Sequence, residues 1–289
     1  KEGRGIDRKT LIEDLRDCDG VVVRVAPVDD EVFRACPRLK VVSKHGVGVD
    51  NIDLEAAKKY GRVVVNVPTA NTLSVAEQAL TLILACAKKL NRMTAEYRAG
   101  NFAVKDAVLT GEAAGKTLGL LGFGRIGRLT ARMAGRGFSM RVLAYDPYLP
   151  PDAAFEDAER TDNWEKLFRE SDFISIHIPA TAGTEKAVGE REFRLMKTTA
   201  YLVNTSRGKI VDEKALIAAL RAGEIAGAGL DVTEAEPADP GSPLFGMPNV
   251  ILTPHNAACT AEAMVRMSLG AAQGIHEVLS GGVPTYKVV

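Results

Sequence analysis

The chain is poor in cysteine, histidine and tryptophan, with four, four and one among 289 residues. Cys18, Cys36, Cys86 and Cys259 are far apart and form no Cys-x-x-Cys pair, which argues against a disulfide framework or a zinc knuckle and leads to the expectation of reduced thiols in a cytoplasmic protein. Charge of one sign is missing too: 37 Lys and Arg balance 37 Asp and Glu, with no long block of either. Nothing therefore draws the chain to nucleic acid phosphates or to acidic lipid. Long apolar runs are also absent. The most apolar stretch, residues 79–87, lies between Glu77 and Lys88 and falls short of the ~20 residues that span a bilayer. No secretory leader is recognisable, so a soluble protein is expected.

What is present is a chain with 46% apolar residues, enough for two moderate cores rather than one small domain. Residues 21–25, 39–43 and 63–67 read as strands with a helix at 54–60, a small α/β unit. The chain opens at Lys1 directly into helical spacing at 11–18, so the strand expected ahead of that helix is missing from the unit. Residues 73–90 read as one long helix, apolar around most of its circumference, which suits either a core helix or one that packs on a second subunit. Beyond Gly115 six strand-like runs follow at 117–121, 141–145, 173–178, 201–204, 227–230 and 250–252. Helices at 126–134, 164–169 and 213–222 alternate with them, the pattern of a parallel sheet covered on both faces. A last helix spans 262–279. The expected fold is α/β: two doubly wound parallel-sheet domains, with a Rossmann domain of residues 72–261 inserted into a smaller flavodoxin-like domain of residues 1–71 and 262–289. Such an insertion places a ligand cleft between the two.

Gly122-Phe123-Gly124-Arg125-Ile126-Gly127 follows one strand and opens a helix. That context turns a weak glycine spacing into a dinucleotide fingerprint: a tight turn, backbone close to a pyrophosphate, and free N–H groups at a helix N-terminus. Asp146 ends the next strand, where a carboxylate accepts hydrogen bonds from ribose hydroxyls and repels a 2′-phosphate. No Arg or Lys stands at 147–149 to hold such a phosphate, so NAD is favoured over NADP. An Asp-Pro turn is a plain alternative role for Asp146, and one residue can serve both. Arg207 lies just past a strand, where a guanidinium can take a carboxylate through two parallel bonds, or pair structurally with Asp212. His255, also past a strand, can exchange a proton near neutral pH; His45 and His177 compete for that role, while His276 sits inside a helical pattern. His177 ends a strand and can line the cofactor pocket. Glu234, Glu236 and Asp239 share one acidic loop, and spacing does not choose a histidine partner among them. His255 and Cys259 are four apart, but no further ligands follow at suitable spacing, so no metal is expected.

The motifs Gly46-Val47-Gly48-Val49-Asp50-Asn51-Ile52-Asp53, Ser74-Val75-Ala76-Glu77, the glycine fingerprint, Asn204 to Asp212, Leu230-Asp231-Val232, Glu236-Pro237 and Pro254-His255 together resemble the D-isomer-specific 2-hydroxyacid dehydrogenases, most closely the phosphoglycerate dehydrogenase branch. The resemblance covers essentially the whole chain. It implies NAD-dependent hydride transfer between a 2-hydroxy acid and its 2-oxo acid, with Arg207 binding substrate, His255 moving the proton and Glu236, directly before proline, as its partner. Asp231 is implied for the nicotinamide carboxamide. Val47, Arg125, Ile126, Asp146, Ile178 and Thr205 match positions that line the cofactor, and Pro179, Ser206, Ala257 and Ala258 complete that set. Arg24 and Lys44, beside strand ends, are candidates for a second anionic group, with Gly46 and Val47 near the substrate; surface charge is the alternative reading of the two cations. Lys44 and His45 depart from the arginine and small residue frequent at these positions in phosphoglycerate dehydrogenases. The resemblance also admits an NADH-responsive corepressor-like binding protein, or a formate or phosphite dehydrogenase on the same fold. A homodimer through residues 73–90 is expected, and serine feedback through a C-terminal regulatory domain is not.

Overall fold

Aspartate and asparagine side chains start five of the eleven described α-helices. In the computed structural model, which describes residues 7–289, Asp7, Asp29, Asp53, Asn163 and Asp212 each accept a hydrogen bond from the backbone N–H three residues on. Thr260 does the same at Ala263. Each such cap satisfies an otherwise orphaned donor and stabilises its helix by about 1 kcal/mol. The strand expected ahead of the first helix lies outside the described residues.

The chain divides into two units, one running to Thr72 and resuming at Ala258, the other Leu73–Ala257. In the first, α1 (Arg8–Leu15), β1 (Gly20–Val23), α2 (Asp30–Ala35), β2 (Val41–Lys44), α3 (Leu54–Lys59) and β3 (Val63–Val65) build a parallel sheet of order β1-β2-β3. The chain end returns to it: Val64 exchanges backbone hydrogen bonds with Val288 and Val289, extending the sheet beyond β3.

The second unit begins with α4 (Thr72–Ala87), α5 (Leu90–Arg98) and α6 (Val104–Ala107). The single helix expected over 73–90 is therefore two. Lys89 takes a left-handed conformation (φ 46°) and the Ala87 carbonyl is taken by the Gly111 N–H, which ends α4 without glycine or proline in its sequence. α4 buries Val75, Ala79, Leu82, Ile83 and Cys86, so it is a core helix of its own unit.

Next come β4 (Thr117–Leu121), α7 (Arg125–Phe138), β5 (Arg141–Tyr145), β6 (Glu159–Arg160), α8 (Trp164–Glu170), β7 (Phe173–Ile176), α9 (Glu190–Leu195), β8 (Tyr201–Asn204), α10 (Glu213–Ala222), β9 (Gly227–Leu230) and β10 (Val250–Leu252). The seven strands are parallel in the order β10-β9-β8-β7-β4-β5-β6. The strand beyond the expected six is β6, a two-residue edge strand too short to show a period. One face packs on α8, α9 and α10, the other on α4 and α7. The winding reverses between β4 and β7, the switch point at which open parallel sheets gather ligands beyond their strand ends.

The last helix, α11 (Ala261–Leu279), packs on the first unit's sheet. A Cβ at Gly270 would lie 2.5 Å from Val67 and one at Gly274 2.8 Å from Val65, so these glycines set how closely α11 approaches the end of the sheet.

Candidate active site

The turn after β4 is built for close approach. Gly122 has φ +101°, and a Cβ there would fall 2.8 Å from the His177 carbonyl carbon. A Cβ at Gly127 would fall 2.4 Å from the Gly122 carbonyl oxygen, so α7 packs directly on the turn. Gly124, the residue before α7, instead faces open space, and no side chain caps the helix. The N–H groups of Arg125, Ile126 and Gly127 thus stand at a helix N-terminus suited to a pyrophosphate. The Asp146 carboxylate accepts from the Phe123 N–H at 2.9 Å and the Tyr148 N–H at 3.1 Å, which fixes it against the same turn. The turn role expected of this side chain is thus present. A cleft of about 690 Å³ opens here, lined by Leu121, Tyr145, Pro147, Tyr148, Trp164 and Ile178. Its breadth suits a planar heterocycle with a sugar. Thr205, buried after β8, holds a hydroxyl with no hydrogen-bond partner, a polar group for a ligand to meet. These features fit NAD.

Beyond β7, His177 lies against Ser175, its Nε2 3.0 Å from Oγ. Desolvation pushes its pKa down to about 4, so the ring is neutral near pH 7. Ile178 receives the Ser206 hydroxyl on its carbonyl, and Pro179 receives that of Thr184 at 2.7 Å.

Asp231 follows β9 and is buried. Its carboxylate accepts the Thr253 hydroxyl, the Asn256 N–H at 3.0 Å and the Ala257 N–H at 2.9 Å. Its backbone carbonyl accepts the His255 N–H at 2.7 Å. One side chain thus shapes the whole 253–257 loop, and within that loop His255 is held left-handed, with φ 50°. A non-glycine residue persists in that region only when its surroundings over-determine it.

The His255 imidazole meets one member of the acidic loop. Its Nδ1 lies 2.7 Å from Glu236 Oε2, while the Thr233 N–H reaches the other carboxylate oxygen at 3.4 Å. A carboxylate only accepts, so Nδ1 carries the proton of this contact. Glu234 instead contacts Glu213 and Lys186, and Asp239 accepts the Gly241 N–H in its own turn.

Arg207 leaves β8 through a loop stiffened by Asn204, whose side chain donates to the Arg207 carbonyl and accepts from the Ser206 N–H, both at 2.9 Å. Arg207 Nη1 donates to the Ser206 carbonyl at 2.8 Å. Asp212, its alternative structural partner, caps α10 and stands 3.8 Å from Lys186. Gly208 and Asn204 are the supporting residues that spacing did not single out. A Cβ at Gly208 would fall 1.9 Å from the Thr233 carbonyl oxygen, so glycine is what lets the Arg207 and Glu236 loops touch.

In the first unit, Arg24 follows β1 and donates to Cys259 Sγ at 3.0 Å. Lys44, at the end of β2, donates to the Arg24 carbonyl and to Asn51 Oδ1, both at 2.5 Å. The Asn51 amide in turn reaches the Ala26 carbonyl, so the ammonium ties β1 to the loop after β2. His45 Nε2 lies 3.1 Å from Ser268 Oγ, and desolvation, reinforced by the neighbouring Arg24 and Lys44 charges, holds its pKa below the usual histidine range. Gly46 has φ +135°, and the Val47 carbonyl accepts from Asn66 at 2.8 Å. Ala258 packs with Val67, Ala70 and Met267, and His276 lies within α11.

Residues 80–257 match the family model of the D-isomer-specific 2-hydroxyacid dehydrogenase NAD-binding domain. The chain belongs to this family. The 2-hydroxyacid dehydrogenase is 43% identical to a glyoxylate reductase of Korarchaeum cryptofilum over 96% of its own length and 84% of that protein. It is 41% identical to a D-3-phosphoglycerate dehydrogenase of Methanocaldococcus jannaschii over 96% of its length, spanning only 53% of that relative. The TT0316 protein of Thermus thermophilus superposes with a TM-score of 0.92 at 35% identity, over 99% of this chain and 91% of that one. The protein is thus an NAD-binding 2-hydroxyacid dehydrogenase with a Rossmann domain. Among the described residues, no helix is long and apolar enough to cross a membrane.

Proposed function

We propose that the enzyme interconverts a D-2-hydroxy acid and its 2-oxo acid, with His255 exchanging the proton on the substrate oxygen. The observation that carries this reading is the 2.7 Å contact between His255 Nδ1 and Glu236, which leaves Nε2 to face a reacting group. Bound NAD supplies the hydride acceptor or donor for substrate C2. In reduction, His255 Nε2 gives a proton to the oxygen while Glu236 balances the imidazolium charge; in oxidation the ring takes that proton back. Arg207 offers the substrate carboxylate two parallel donors, fixing which face of C2 is presented. Asp231 holds the His255 loop and is the acceptor assigned to the nicotinamide carboxamide. The residues assigned to the rest of the dinucleotide are Val47, the fingerprint glycines, Arg125, Ile126, Asp146, His177, Ile178, Pro179, Thr205, Ser206, Ala257 and Ala258.

For the substrate we infer a phosphoglycerate-like acid, one with a second anionic group bound by Arg24. Lys44 supports this role by fixing the Arg24 backbone. A panel read by NADH absorbance tests it, with glyoxylate, hydroxypyruvate, 3-phosphohydroxypyruvate and other 2-oxo acids in one direction and formate and phosphite in the other. The expected result is the highest kcat/KM for a dianionic 2-oxo acid, lost selectively in Arg24→Ala. A higher kcat/KM for glyoxylate, unchanged in Arg24→Ala, would overturn the second anion. Turnover confined to formate or phosphite would overturn the reaction.

For the proposed homodimer the better face is not α4, which is core, but the segment after it. Leu90, Tyr97, Phe102 and Leu109 are all exposed there, with the Tyr97 and Phe102 rings 6.0 Å apart, and exposed large apolar side chains favour burial against a partner.

A further inference from the structure

Glu234 is the carboxylate of the acidic loop that does not meet the imidazole, yet it is tied down more firmly than a solvated loop residue needs. Its backbone N–H donates to Glu213 Oε2 at 2.9 Å, and the Glu213 N–H donates back to Glu234 Oε2 at 3.3 Å. Glu213 is the first residue of α10, so this reciprocal pair stitches the acidic loop to a helix N-terminus that Asp212 already caps. Lys186 stands beside the Glu234 and Asp212 carboxylates. Its Nζ is 3.4 Å from Glu234 Oε1 and 3.8 Å from Asp212 Oδ2, and the contact with Glu234 is the main cause of its raised pKa. Lys186 is itself anchored: its N–H donates to the Lys209 carbonyl at 2.8 Å, in the turn that follows Arg207.

These contacts converge on the two loops that carry the proposed chemistry. Gly208 leaves no room for a side chain against Thr233, so the Arg207 loop and the acidic loop are in backbone contact on one side. The Glu213–Glu234 pair and Lys186 hold the same two loops on the other. Two residues beyond Glu234, Glu236 then reaches His255 with its free oxygen, its other oxygen steadied by the Thr233 N–H.

We propose that Glu234 is a positioning residue for the dehydrogenase reaction: through its brace with Glu213 and Lys186 it sets the register of Glu236 against His255 and of that pair against Arg207. The brace works through hydrogen bonds at Glu213, with the exposed ion pair to Lys186 a minor contributor, because solvent screens it. This rests on the assignment of His255, Glu236 and Arg207 above.

The test compares Glu234→Ala and Glu234→Gln with His255→Ala and Glu236→Gln, measuring kcat, KM for the 2-oxo acid, NADH affinity by fluorescence titration, and melting temperature. Glutamine keeps an oxygen for the Glu213 N–H and gives up only the charge. Glu234→Ala removes the side-chain half of the brace, the acceptor for the Glu213 N–H and the Lys186 contact, and leaves the backbone bond to Glu213 Oε2 in place; the resulting shift of a fraction of an ångström should lower kcat about 10-fold, with NADH affinity unchanged because the fingerprint turn is untouched. Glu234→Gln should recover kcat to within about threefold, the exposed charge pair being worth little. The brace is overturned if Glu234→Ala lowers the melting temperature but leaves kcat intact while His255→Ala and Glu236→Gln lose turnover. It is also overturned if Gln and Ala are equally impaired, since the charge and not the hydrogen bonds would then be what matters. Retention of kcat in His255→Ala and Glu236→Gln would instead fail the underlying assignment, a separate outcome from failure of the brace.

Discussion

Replacing Asp231 by Asn removes one oxygen from the group that shapes the loop of His255, the proposed proton-exchanging residue. The carboxylate takes three donors, two on Oδ1 (Thr253 and Asn256) and one on Oδ2 (Ala257). With the amide oxygen kept at Oδ1, the new NH2 faces the Ala257 N–H, donor against donor, in a site where Asp231 is 1% exposed and Ala257 5%. An orphaned buried donor costs about 1–3 kcal/mol, and the two surviving bonds lose their charge assistance, so a total of about 2–4 kcal/mol is expected. For a domain of this size that is a fall of roughly 5–15 °C in melting temperature. Melts recorded without cofactor separate this effect from any contact with the carboxamide. Because His255 hangs from the Asp231 backbone carbonyl and sits in a left-handed conformation, the relaxed loop should also withdraw the imidazole and lower kcat by about 100-fold. A variant that melts within about 1 °C of the parent and keeps its kcat would refute the claim that this carboxylate organises the loop.

Two other outcomes can be checked independently of Asp231. His177 has a pKa of about 4 in the folded protein against 6.5 for an ordinary histidine, so between those values the unfolded chain binds the extra proton. Its neutral-form stability is fully present above about pH 6.5 and is lost as pH falls toward 4, by about 3 kcal/mol in all; His177→Asn should flatten urea-unfolding free energy across that window, and an unchanged slope would show the desolvation to be unimportant. Light scattering should give a dimer mass for the parent and a monomer for a Tyr97→Glu, Phe102→Glu double variant, whereas a monomeric parent would remove the proposed interface.

The second unit's sheet was legible because its buried strands are mainly apolar runs between helical patterns, and the fingerprint turn because its three glycines do different local work. Gly122 answers to a positive φ, Gly127 to contact with the turn, and Gly124 to open space, all consequences of a strand-turn-helix corner. What stayed illegible depends on contacts between segments distant in sequence. Glu234, Glu236 and Asp239 are alike as a string of acids; spacing alone does not separate them, the resemblance chose Glu236 by its proline, and the folded loop puts Glu236 at His255, Glu234 at Glu213 and Asp239 at Gly241. The break at Lys89 has no local marker either, since α4 ends through a hydrogen bond from Gly111. Lys44 reads as an anion-binding charge, yet its ammonium spans Arg24 and Asn51, a geometry that exists only once β1 and β2 are paired.

The most direct measurement of the central claim is NADH oxidation by the intact protein and by His255→Ala, at saturating NADH with the best 2-oxo acid of the panel. The parent should turn over, and the variant should show a kcat reduced by about 10²–10⁴ with NADH binding retained. Equal turnover by the two proteins would contradict the role of His255.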